Sequence, residues 1–113
     1  MAARNTLTAV PPYPVEHALK RLGTNLRTAR LRRNLTIKEI AEKIGTGPRA
    51  VMDAEKGKPS TGIVVYTALL WTYGLLESFS ELADPAADEE GLTLELTSGR
   101  VRARPRKELD NDF

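Results

Sequence analysis

The stretch Leu35-Thr36-Ile37-Lys38-Glu39-Ile40-Ala41-Glu42-Lys43-Ile44-Gly45-Thr46-Gly47-Pro48-Arg49-Ala50-Val51-Met52-Asp53-Ala54-Glu55-Lys56-Gly57 decides the fold. Thr36 and Glu39 form a Thr-x-x-Glu capping box, in which a hydroxyl and a carboxylate reciprocally satisfy the free N–H groups of a helix start. Ile40, Ala41 and Ile44 then recur at helical spacing. Gly45-Thr46-Gly47 interrupts that helix. Pro48 stands where the next one has its first residue, a position whose N–H would be unpaired anyway. Val51 and Ala54 lie on the inner side of the helix that Pro48 starts, the third of the domain, and Gly57 closes it. Two short helices joined by a three-residue glycine turn make a helix-turn-helix.

Upstream, Val15, Ala18, Leu19, Leu22, Leu26 and Ala29 predict a helix with Lys20, Arg21, Arg27, Arg32 and Arg33 largely on its other faces. Pro14 can start it, and Asn34, which tolerates the left-handed conformation, can end it. Residues 1–14, ending in Pro-Pro-Tyr-Pro, read as an extended lead-in. Downstream, Ser60 or Thr61 is expected to cap a fourth helix running to Tyr73, with Gly74 as its stop. Leu75, Leu76, Phe79, Leu82 and Ala83 predict a fifth, ended by Asp84-Pro85. Residues 15–83 thus form one all-α domain of five helices. In residues 84–113 an acidic linker is followed by Leu92, Leu94 and Leu96, which alternate with polar residues. Ser98-Gly99 and Arg100 to Arg104 complete the pattern of a β-hairpin, before a flexible charged tail.

Composition narrows the function. The chain has 113 residues, enough for one domain and its tails. It has no cysteine, which excludes disulfides and thiolate metal sites and suits a cytoplasmic protein. No apolar run is long enough to span a bilayer, and the N-terminus lacks a signal-peptide layout. The net charge of +2 divides unevenly, with 12 Lys/Arg against 7 Asp/Glu in residues 1–83 and 5 against 8 in residues 84–113. The first part has the sign that a phosphate backbone attracts. His17 is the only histidine and fits a solvated helix position better than a metal or catalytic site. No nucleophile elbow, phosphate loop or zincin motif occurs, so no catalytic residue, metal or cofactor is expected. Tyr66, Trp71 and Tyr73 fall at helical spacing, as core or dimer contacts do.

The run from Leu35 to Gly45, continued by Val51 and Glu55-Lys56-Gly57-Lys58, resembles the lambda-repressor-like, or XRE, family of bacterial and phage regulators over roughly residues 22 to 82. The resemblance implies that the second helix crosses a DNA backbone while the third enters the major groove. Its implied interface comprises Thr36, Ile37 and Lys38, then Thr46, Gly47, Pro48, Arg49, Ala50 and Asp53, then Lys56 and Lys58. Arg49 is the sharpest base reader, since a guanidinium can grip guanine O6 and N7 together; its plain alternative is a phosphate contact. Ile37 stands where the family commonly has a glutamine. Asp53 could accept from cytosine N4, or face solvent or an arginine. Arg30 and Glu55 match a buried pair that ties the first helix to the end of the third.

The remaining segments imply partners. A two-fold homodimer on a palindromic operator is expected, with Leu75, Leu76, Phe79, Leu92, Leu94 and Leu96 as dimer or partner surface. A lambda-repressor-like domain, a short strand region, a basic run and an acidic end resemble HipB-like antitoxins, which repress their own operon and bind a HipA-like kinase toxin. Leu109 and Phe113 would anchor the tail to that partner. A stand-alone phage or plasmid repressor, and a protein-interaction module of the same fold, are the alternatives.

Overall fold

The computed structural model describes residues 6–98. The first unit, ending at Phe79, contains α1 (Thr6–Ala9), α2 (Tyr13–Arg32), α3 (Ile37–Ile44), α4 (Pro48–Glu55) and α5 (Ile63–Thr72), with all but the last residue of α6 (Leu76–Ser80) at its end. The second unit begins at Ser80 and holds a 3₁₀ turn at Pro85–Ala87 and α7 (Glu89–Ser98). No strand occurs among the described residues, and no described helix is long and apolar enough to cross a membrane.

Four of the helices stop in the same way. Asn34, Gly45, Gly57 and Gly74 have φ of 56°, 84°, 69° and 76°. In each case the next residue's N–H reaches back five residues: Leu35 to Arg30, Thr46 to Ala41, Lys58 to Asp53 and Leu75 to Leu70. This is the Schellman arrangement, which pairs carbonyls that a helix end otherwise leaves free. The chain therefore turns sharply after α2, α3, α4 and α5, and the short connections pack these helices on one another. Leu26 and Ala29 of α2, Ile40 and Ala41 of α3, Val51 and Ala54 of α4, and Tyr66, Leu69 and Tyr73 form the buried core.

The capping box at α3 is complete. The Glu39 N–H donates to Thr36 Oγ1 at 3.0 Å and the Thr36 N–H donates to Glu39 Oε1 at 2.8 Å. Removing the hydroxyl in Thr36→Ala leaves one donor without its partner, with an expected loss of about 1 kcal/mol. Thermal unfolding should register a drop of roughly 4–8 °C; an unchanged Tm would show that water replaces the cap without cost.

Several boundaries differ from the sequence reading. The lead-in contains α1, and α2 starts at Tyr13, with Pro14 one residue inside. Val15 and Ala18, expected to face inward, are exposed. Neither Ser60 nor Thr61 caps α5. The Thr61 N–H closes a turn on the Lys58 carbonyl at 3.0 Å, which carries the chain past both residues before Gly62 begins the helix. The fifth helix ends at Ser80; Leu82 is exposed, and Ala83 takes a left-handed φ of 58° that no helix continues through.

The hairpin is the largest correction. Leu92, Leu94 and Leu96 lie on α7, not on a strand. Asp88 Oδ1 accepts from the Gly91 N–H at 2.9 Å, and Glu89 and Glu90 occupy the first turn, where carboxylates favour the positive end of the helix dipole. The Thr97 hydroxyl donates to the Thr93 carbonyl within the helix. The expected turn at Gly99, the strand from Arg100 to Arg104 and the tail with Leu109 and Phe113 lie outside the described residues.

Candidate nucleic-acid interface

Helix α4 has a buried side and an open side. Val51 and Ala54 are fixed in the core, so the residues opposite them must face out. Arg49, Met52, Asp53 and Lys56 stand at relative positions 0, 3, 4 and 7 and share that outer face. Arg49, Met52 and Lys56 are exposed and Asp53 half-buried. Gly47 and Pro48 are exposed ahead of Arg49, while Ala50 is half-buried beside it. On α3, Thr36 and Lys38 are exposed, but Ile37 packs partly against the core. Thr46, in the turn, is half-buried. The sequence-expected residues of α4 thus form one surface, and those of α3 are split between solvent and core.

Two charged pairs define this surface. Arg30 Nε donates to Glu55 Oε2 at 2.7 Å and Arg30 Nη2 to Glu55 Oε1 at 3.0 Å, while Nη1 donates to the Leu35 carbonyl at 2.9 Å. The two side chains are only 8% and 6% exposed. The pairing with Glu55 raises the Arg30 pKa above its ordinary value, so the guanidinium stays charged. One side chain therefore joins α2, the end of α4 and the loop before α3, fixing the angle at which α4 presents its outer face. The other pair is Lys58 Nζ to Asp53 Oδ1, at 3.8 Å. Asp53, for which the sequence left a base, solvent or an arginine open, meets a lysine, and the contact draws one candidate cation toward a candidate carboxylate.

Sequence reasoning missed three features here. Met52 sits on the outer face of α4 with Arg49, a placement that its three-residue spacing from Arg49 could have signalled. Arg27 of α2 lines a cleft of about 270 Å³ with Arg30, Ile37, Met52, Glu55 and Lys56. Arg27 and Lys56 form no ion pair among the described residues, so the cleft carries positive charge beside α4. Arg33, read with the cations on the outer faces of the first helix, is committed to structure. It donates to the Ala29 and Tyr73 carbonyls, each at 2.9 Å, and its guanidinium lies 5.2 Å from the centre of the Tyr73 ring.

The expected partner surface is uneven. Leu76 and Phe79 are half-buried, whereas Leu75 and the α7 leucines are exposed. His17 stacks on Tyr13 with ring centres 5.8 Å apart, and no cluster of potential metal ligands occurs among the described residues. Compared with protein-family models, characterised proteins and solved structures, the chain gives no match.

Proposed function

We propose that this chain is a sequence-specific DNA-binding repressor that lays the outer face of α4 in the major groove. The observation that carries the reading is the single open face of Arg49, Met52, Asp53 and Lys56 on a short helix held by the Arg30–Glu55 clamp. A reading helix must be fixed against its scaffold so that base-edge hydrogen bonds are not lost to motion. The cations Lys38, Lys56 and Lys58 suit backbone phosphates, and Arg49, in the first turn, suits a guanine edge. One helix of this length covers few base pairs, so the protein acts as a two-fold dimer on half-sites about 10 bp apart or a multiple of that.

The closing experiment is Arg49→Ala, titrated on the DNA upstream of the gene and on random duplex. Specific affinity should fall by about 1–3 kcal/mol, with preference relaxed at one base position per half-site. An equal loss on random DNA would make Arg49 a phosphate contact.

The antitoxin role is the finer part of the proposal, and it rests on the resemblance of the whole layout to HipB-like antitoxins. The test is capture of a co-expressed adjacent kinase-like protein by the full chain and by a chain lacking residues 108–113. Loss of capture with operator affinity retained supports it. Absence of capture by the full chain leaves a stand-alone repressor. A protein-interaction module draws support from the apolar Ile37 and Pro48 and from the engagement of Asp53 with Lys58. It would bind no DNA at all in the same titration.

A further inference from the structure

Helix α5 carries no charged residue in its ten positions and is apolar nearly all round, a composition that belongs to helices covered on every side. One side is covered by the core through Tyr66 and Leu69. The other is open: Ile63, Val64 and Trp71 are 66%, 70% and 65% exposed. These three share an outer stripe with Thr67 and Ala68, at helical spacing. Thr67 adds little polarity to it, because its hydroxyl is spent on the Ile63 and Val64 carbonyls at 3.1 and 3.0 Å.

We propose that a second copy of this chain covers the stripe, the two α5 helices packing antiparallel about a two-fold axis between Thr67 and Ala68. The arrangement of sizes favours this occupant. Small residues sit at the middle of the stripe, where two helices approach most closely, and large ones stand toward its ends. Val64 and Trp71 are equally far from the midpoint, so a two-fold axis there sets Trp71 of each copy against Val64 of the other. The stripe offers on the order of 500 Å² of apolar surface, the larger part of the ~800 Å² per partner found in stable interfaces. The contact deepens the dimer of the DNA-binding reading and rests on that reading for its use, although self-association is measured without DNA. It moves the dimer surface from Leu75, Leu76, Phe79 and the α7 leucines to α5.

The test uses the full chain with Val64→Glu and Trp71→Lys, separately and mixed. Sedimentation of the unaltered chain at tens of micromolar should give a dimer, and Trp71, the only tryptophan, should shift its emission to the red on dilution. Each variant should weaken self-association about 100-fold or more, because a charge would be buried unpaired in both halves of the interface. Mixing the two should restore a heterodimer, in which the carboxylate introduced at position 64 of one copy meets the ammonium introduced at position 71 of the other; recovery also shows that both variants fold. A concentration-independent monomer, or variants that self-associate as the unaltered chain does, would overturn the proposal. A Val64-dependent dimer without DNA affinity would overturn the DNA-binding reading and leave this one standing. Operator binding by a dimer insensitive to both substitutions would do the reverse.

Discussion

Arg30→Ala should lower folding stability by about 3–5 kcal/mol, the range found when one partner of a buried ion pair is removed. The guanidinium fills three roles at once, gripping both Glu55 oxygens and donating to the Leu35 carbonyl. Truncation strands a carboxylate with 6% exposure and frees the Leu35 carbonyl in the loop before α3, while the helix gains only the small propensity of alanine. Denaturant unfolding should show a lower midpoint with an unchanged slope. Arg30→Met with Glu55→Leu, which removes both charges and keeps the volume, should recover most of the loss. If the single variant unfolds at the same midpoint as the unaltered chain, the pair contributes nothing to holding α4. DNA affinity should fall with the folded fraction in Arg30→Ala. In the double variant it should fall further than folding does if the pair also sets the angle of α4.

The helix-turn-helix was legible because its signals are local. A capping box, a left-handed glycine and a proline at the first helical position act over a few residues and do not depend on what packs against them. The Arg30–Glu55 pair was legible only through the family resemblance, since nothing in the spacing of two residues 25 apart requires contact. What failed was governed by tertiary context. On α5 the helical spacing of Tyr66, Leu69 and Tyr73 marked side chains that are buried, but Ile63, which continues the same spacing, is exposed, because a helix apolar nearly all round leaves the edge of its inward face undefined. The alternation of Leu92, Leu94 and Leu96 fits a strand over five residues, yet Asp88-Glu89-Glu90 ahead of it was a helix-start signal of equal strength. The Asp53–Lys58 contact spans the end of α4, where the Schellman turn folds the chain back; no helix-face rule relates residues five apart across such a turn.

The second large effect concerns Gly57, where α4 ends against α2. Its φ of 69° lies in the region that an L side chain enters at a cost of about 1–2 kcal/mol. A Cβ there would also lie 2.5 Å from the Leu19 carbonyl oxygen and 2.6 Å from the Lys20 Cα, both backbone atoms of a helix with no slack to retreat. Gly45 provides the comparison. Its φ is 84°, but a Cβ would meet nothing within 4 Å, so Gly45→Ala isolates the conformational cost. Gly57→Ala adds forced separation of α2 from α4, an overpacking cost of about 1–3 kcal/mol, for a total of about 3 kcal/mol or more. Urea unfolding of the two variants side by side should therefore show Gly57→Ala as clearly the less stable. Equal losses would mean that α2 yields freely at Leu19 and that the close approach is not a constraint. Gly57 also lies between Lys56 and Lys58, so separating the helices should displace both cations. DNA affinity, measured where each variant remains folded, should drop in Gly57→Ala by more than in Gly45→Ala.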